Sequence, residues 1–242
     1  MKNMKLKSNH LPGAAFTLIE LLVVITIIGI LAAMTLVGLN GVAKTKKLSQ
    51  ATSELHRLEG AIENYRNKYG VYPPGNGSNT FTAALYSPLY YELTGVSFTD
   101  TTKTTYKTAD STISVASVNS LFNVNGILNC TKGSGEDAVN SENFLPGLSS
   151  KMETQVTQGT WQGDMLVTSV GGPDLKYCPI PTAGANVFRY KQPDPTNNNP
   201  GSYDLWVNVS LGATNSPTDY NPAKLYLICN WQKNYQGGST MP

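Results

Sequence analysis

The stretch that decides the fold is AAFTLIELLVVITIIGILAA, residues 14–33. It belongs to a run of 24 predominantly apolar residues, 16–39, in which Glu20 is the only charged side chain. As an α-helix at about 1.5 Å per residue, this run spans about 36 Å, which is enough to cross the hydrocarbon core of a bilayer. A carboxylate inside that core costs about 2.5–3.5 kcal/mol on insertion scales, so Glu20 needs an explanation.

The residues before the run indicate its orientation. Residues 1–15 carry Lys2, Lys5 and Lys7 and no acidic side chain. The positive-inside rule therefore predicts a single span with a cytoplasmic N-terminus and an exported chain after Leu39. An ordinary secretory signal peptide is the alternative, but its apolar core usually runs about 7–15 residues, and this run is longer.

The charge balance argues against a nucleic-acid partner. The chain has 242 residues, of which 14% are charged, and its formal net charge is +2. Without residues 1–15, the chain keeps 15 basic and 16 acidic side chains. Phosphate binding requires a clustered basic surface, which this balance does not indicate.

A helix is predicted to continue beyond the apolar run, through residues 40–70. Apolar side chains recur there at gaps of three and four, which is one stripe of a helix: Leu48, Ala51, Leu55, Leu58, Ile62, Tyr65 and Tyr69. Gly70 and the prolines of Tyr72–Pro74 end the pattern. We therefore predict one helix of roughly 50 residues, from about Phe16 to Tyr69, whose second half packs on a sheet.

The sheet is predicted in the last part of the chain, residues 161–242. Three segments alternate or run apolar between turn-rich stretches, as in an antiparallel meander: Asn186–Gln192, Tyr203–Val209 and Lys224–Trp231. Residues 71–160 are rich in Ser and Thr and are interpreted as a variable polar insertion, with a short helix at Leu85–Val96 and a strand at Ser111–Val118. The predicted fold class is α+β, with a long N-terminal helix packed on a small C-terminal antiparallel sheet.

The stretch AFTLIELLVVITIIGILAA resembles the N-terminal signature of type IV pilins and type II secretion pseudopilins. In that family a membrane-embedded prepilin peptidase cuts before the Phe and methylates the new N-terminus. The resemblance implies a cut between Ala15 and Phe16, with N-methylation of Phe16. Most members have Gly where this chain has Ala15, the closest substitute in size.

The resemblance also implies a role for Glu20. Family helices pack into a filament core, where the Glu20 carboxylate of one subunit would face the Phe16 amine of another. An unpaired charge is costly in that low dielectric, so the pair would set the register between subunits. The implied protein is a structural filament subunit, stored in the inner membrane with a periplasmic C-terminal domain and later part of a periplasmic or cell-surface filament. Its partners would be other pilin-like subunits, the prepilin peptidase and an inner-membrane assembly platform.

Two further stretches, YRNKYGVYPPG and GSYDLWVNVSLG, resemble major pseudopilins and favour type II secretion over a surface pilus. Two alternatives stay open. One is a minor tip subunit or adhesin that grips a ligand such as a polysaccharide with exposed aromatic side chains. The other is a membrane-anchored exported protein that never polymerises.

Neither a metal, a cofactor nor an active site is predicted. Major pseudopilins often bind calcium in the loop that here reads SLGATNSPTDYNP, but Asp219 is its only carboxylate, and calcium usually takes several. After processing, His56 is the only histidine, and GxSxG is absent, so we expect no enzyme. Of the three cysteines, we expect Cys178 and Cys229 to form a disulfide because both flank the predicted sheet.

Overall fold

The structure is a computed structural model, and it describes residues 17–78, 84–133, 138–170, 185–211, 225–232 and 236–237. The chain divides into two compact units, Met1–Thr45 and Lys46–Pro242. Helix α1, Leu18–Tyr69, is 52 residues long and contributes to both units. The predicted long N-terminal helix is therefore confirmed, with its start two residues later than expected.

In the first unit, the large apolar side chains of α1 are exposed from Leu18 to Met34. Their exposed fractions lie between 46% for Val24 and 81% for Leu18. Within the described residues, we find no helix whose length and apolar character suffice for a membrane crossing.

In the second unit, the predicted apolar stripe of α1 is buried. Leu48, Leu55, Leu58 and Ile62 are all at most 6% exposed and belong to the main hydrophobic core. The helix ends at Tyr69 because Gly70 adopts the left-handed conformation, with a φ of 73°, and donates its N–H to the Arg66 carbonyl.

Residues 84–133 form small elements that pack into the same core. Helix α2 is Leu89–Thr94, followed by an antiparallel sheet of β1 (Ser97–Phe98), β2 (Thr105–Lys107) and β3 (Thr112–Ser114), and by helix α3 (Val115–Phe122). The predicted short helix is confirmed with narrower bounds.

The strand predicted over Ser111–Val118 is wrong beyond Ser114. There the Ser114 side chain accepts a hydrogen bond from the Ser117 N–H, which starts α3 as an N-cap. Val118, Leu121 and Phe122 are buried at helical spacing, and this spacing outweighs the short alternation in the sequence.

The second half of the chain supplies two sheets that meet. A hairpin of β4 (Glu153–Gln158) and β5 (Trp161–Leu166) turns at Gly159 and Thr160. A four-stranded antiparallel sheet follows in the order β6 (Arg189–Lys191), β7 (Asp204–Ser210), β8 (Leu225–Cys229) and β9 (Gln236–Gly237). Val167 pairs with Val187, which joins the hairpin to the edge of this sheet.

The predicted three-stranded meander is confirmed, with β9 as an additional strand. One face of β7, formed by Leu205, Val207 and Val209, belongs to the same core cluster as the α1 stripe. The segment predicted as a polar insertion contributes to this cluster as well, through side chains such as Tyr91 and Phe122. In β2 and β3, only Tyr106 and Ile113 are buried. The polar residues around them gave no sign that this segment contributes to the core.

Candidate functional site

The first turn of α1 holds Glu20 in a reciprocal capping arrangement. The Thr17 N–H donates to Oε2 of Glu20 at 2.9 Å, and the Thr17 hydroxyl donates to the same oxygen at 2.8 Å. In return, the Glu20 N–H donates to Oγ1 of Thr17 at 3.3 Å. This is a capping box, in which an N-cap Thr and a Glu three residues later satisfy each other's N–H groups.

The capping box leaves one oxygen of the carboxylate available. Oε1 of Glu20 accepts no hydrogen bond from any residue that the structure describes. The cap thus fixes the direction of a carboxylate whose second oxygen can still accept from another molecule.

An exposed apolar surface follows directly on α1, from Leu18 to Met34, and is called here the apolar segment. Side chains such as Ile25, which is 58% exposed, and Leu31, which is 57% exposed, lie on several sides of the helix. A contiguous apolar surface of this kind marks a site of protein or membrane contact.

The second half of α1 is held by a buried carboxylate on α2. Glu92 is completely buried and accepts hydrogen bonds from the Tyr65 hydroxyl at 2.9 Å and from the N–H groups of Leu128 and Asn129 at 2.8 and 3.0 Å. Burial raises the pKa of Glu92, although these three hydrogen bonds each lower it. Burial and the charge of Glu92 raise the pKa of Tyr65 in turn.

A second carboxylate, on α1 itself, fixes the loop after β5. Glu54 is 9% exposed and accepts from the Thr168 hydroxyl at 2.6 Å, from the Ser169 N–H at 3.1 Å and from the Ser169 hydroxyl. Gln50 donates to Oγ of Ser169 at 2.6 Å. Glu54 and Glu92 together position α1 on the core of the second unit.

Comparison with known proteins gives a family match at the N-terminus and one fimbrial relative. Residues 14–36 match the family model described as the prokaryotic N-terminal methylation motif. Over 70 residues, the chain is 37% identical to the fimbrial protein EcpC of Eikenella corrodens.

The N-terminal part of the chain is similar to that of type IV pilin-like proteins.

The EcpC match covers 29% of this chain and 46% of the relative, so the chain spans about half the length of that fimbrial protein. No solved structure matches the chain.

Of the predicted N-terminal site residues, the structure describes only Glu20. Glu20 lies in the first turn of α1, while Ala15 and Phe16 lie outside the described residues. Cleavage, N-methylation and the Phe16–Glu20 pair therefore stay predictions.

The predicted disulfide between Cys178 and Cys229 also stays a prediction. Cys229 is buried at the end of β8 and forms no disulfide with another described cysteine, and Cys178 lies outside the described residues. Most of the loop considered for calcium, including Asp219, also lies outside the described residues, and the described part contains no cluster of metal-binding side chains.

Sequence reasoning missed the buried carboxylates. Glu92 lies in LYYELTG, where apolar neighbours on both sides could have indicated burial. Glu54 carries no such indication, because it lies among polar residues of an amphipathic helix and its partner Thr168 is 114 positions away.

Proposed function

We propose that this chain is a structural subunit of a type IV pilin-like filament, assembled by packing of the apolar segments of many copies. The observation that carries the proposal is the exposure of Leu18–Met34 in the single chain. Burying such surface contributes about 25 cal/mol per Å² relative to water, so outside the membrane this segment needs the cover that neighbouring copies supply. The methylation motif and the fimbrial relative support the same role.

Before assembly, the subunit is stored in the inner membrane with residues 16–39 as its span. The three lysines of residues 1–15 keep the N-terminus in the cytoplasm, where prepilin peptidase cuts between Ala15 and Phe16 and methylates Phe16. An inner-membrane assembly platform then moves the processed subunit into the filament.

Glu20 sets the register of each incoming subunit. The capping box holds its carboxylate through Oε2, and Oε1 accepts the methylated Phe16 amine of a neighbouring copy. A subunit in the wrong register would leave the carboxylate buried without a cation, which costs several kcal/mol.

The filament is a pseudopilus of a type II-like secretion system. The stretches YGVYPP and YDLWVNVSLG support this assignment through their likeness to major pseudopilins. A surface pilus is the second candidate, and the fimbrial relative favours it.

The processing step is tested by mass spectrometry of the N-terminus in cells with and without prepilin peptidase. We expect a chain that begins at methylated Phe16 only when the peptidase is present. A chain that keeps Met1 in both strains, or one cut near residue 40, would refute processing and with it the filament role.

A further inference from the structure

The chain contains three Asn-Gly pairs, Asn40–Gly41, Asn76–Gly77 and Asn125–Gly126. In such a pair the glycine nitrogen can attack the Asn side chain and displace its amide without an enzyme, because glycine has no side chain that shields the nitrogen. The attack requires an Asn side chain that is free to turn and a glycine N–H that no acceptor holds. The three pairs differ in how far the fold meets these requirements.

The pair Asn125–Gly126 meets both requirements. It follows the end of α3 and lies outside every described helix and strand. The Asn125 side chain is exposed and forms no hydrogen bond with a described residue. The Gly126 N–H likewise donates to no acceptor among the described residues. The two reacting groups are therefore free to approach each other.

The packing around this turn requires the glycine. Gly126 has a φ of 96°, which side chains other than hydrogen rarely allow, and a Cβ there would lie 2.8 Å from the Tyr106 hydroxyl oxygen. That hydroxyl in turn accepts a hydrogen bond from the Ile127 N–H at 3.2 Å. The contact that excludes a larger residue at position 126 thus also leaves the Gly126 nitrogen unshielded.

The other two pairs are restrained. The Asn76 side chain donates through Nδ2 to the Tyr86 carbonyl at 2.9 Å and accepts through Oδ1 from the Ser78 N–H at 3.1 Å. Asn40 and Gly41 lie inside α1, where a backbone N–H donates to the carbonyl four residues earlier. The reaction at either pair must first break hydrogen bonds that Asn125–Gly126 does not have.

We propose that Asn125 is a site of spontaneous deamidation in the folded chain. The Gly126 nitrogen gives up its proton and forms a bond to Cγ of Asn125, while the bond from Cγ to Nδ2 breaks and ammonia takes up a proton and leaves. Water then opens the resulting cyclic imide at either carbonyl. One opening gives aspartate, and the other gives isoaspartate, in which the backbone runs through the former side chain.

The modification changes a turn that leads directly to the buried carboxylate on α2. Either product adds a negative charge at an exposed position, and isoaspartate also lengthens the backbone just before Ile127. The next two N–H groups, those of Leu128 and Asn129, donate to Glu92. Deamidation therefore acts beside the loop that holds the second half of α1, and it requires neither a membrane nor a filament.

The test is ageing of the folded full chain in detergent and mildly alkaline buffer, followed by peptide mass spectrometry with fragment assignment. Conversion of amide to carboxylate is measured at Asn125 and Asn76 in the same sample. Because two hydrogen bonds restrain Asn76, we expect Asn125 to convert faster by on the order of tenfold to a hundredfold. In denaturant both side chains are free, so their rates should differ far less.

The matched variant is Asn125→Gln, which keeps an exposed amide but has a longer side chain that forms the cyclic imide much less readily. It should remove the acidic species that ageing produces on isoelectric focusing and leave conversion at Asn76 unchanged. Equal rates at Asn125 and Asn76 in the folded chain would overturn the proposal. So would a folded chain that stays unmodified at Asn125 under conditions in which the denatured chain of the same buffer reacts there.

Discussion

Three carboxylates on or beside α1 each satisfy donors that the chain would otherwise leave unpaired. Glu20 accepts from the N–H of Thr17, just before α1, Glu54 from the loop after β5, and Glu92 from Tyr65 and a neighbouring loop. Glu20 belongs to an exposed helix start, whereas the other two are buried. The same residue type therefore caps the exposed start of α1 and fixes its second half on the core.

Glu92→Ala should lower the free energy of unfolding strongly. It leaves the Tyr65 hydroxyl and the N–H groups of Leu128 and Asn129 without an acceptor, at about 1–3 kcal/mol for each buried donor. Denaturant unfolding of the full chain in detergent measures the loss. Glu92→Gln keeps one acceptor oxygen, which can serve Tyr65 and Asn129, but it places an NH2 group against the Leu128 N–H, so it should lose less than Glu92→Ala.

The pH dependence of stability gives a second readout at Glu92. Burial raises the pKa of Glu92 above its ordinary value of about 4.3, so the folded chain binds this proton more tightly than the unfolded chain. Its contribution to the free energy of unfolding therefore falls as pH rises from about 4.3 through the raised pKa. The stability difference between wild type and Glu92→Gln should decrease over that window. A difference that is constant or grows with pH would contradict the assignment.

At the scale of elements, contact between α3 and the hairpin depends on a missing side chain. A Cβ at Gly163 on β5 would lie 2.7 Å from Cδ2 of Leu121 and 3.3 Å from Cζ of Phe122. The glycine allows α3 to approach the strand closely, and this approach buries both apolar side chains of the helix.

Gly163→Ala should therefore destabilise the chain by about 1–3 kcal/mol through overpacking. Gly60→Ala is the matched control, because a Cβ at that interior position of α1 meets nothing within 4 Å. There alanine should stabilise the helix by up to about 1 kcal/mol. Thermal unfolding of both variants measures the two shifts, and equal shifts of the same sign would contradict this description of the packing.

The elements also differ in how far the sequence predicts them. α1 was predictable because its apolar stripe repeats over more than five turns and ends at Gly70. The strands β6 to β8 were predictable from apolar alternation between turn-rich stretches. α3 was not, because its start depends on a Ser114 side chain that could equally occupy a strand. The β4–β5 hairpin was missed because β4 is largely Thr and Gln, with Val156 as its one buried apolar side chain.

On the scale of the whole molecule, the chain contains an exposed apolar segment and a second unit with one main hydrophobic core and a smaller second cluster. The N-terminal motif could be predicted from sequence because it is a short local pattern, and the family match at residues 14–36 confirms it. The buried pairs Tyr65–Glu92 and Glu54–Thr168 could not, because they join positions far apart in the chain. Local patterns thus indicate the candidate site, while long-range contacts position the helix on the core.

The central claim is that the apolar segment is covered by other copies in a filament, and photo-cross-linking tests it most directly. A photoreactive residue at Ile25, which is 58% exposed in the single chain, is compared with one at Val139, which is 63% exposed in the second unit. In sheared filaments, position 25 should cross-link to residues 16–39 of another copy, whereas position 139 should give little such product. Filaments in which position 25 forms no cross-link to another copy would contradict the account.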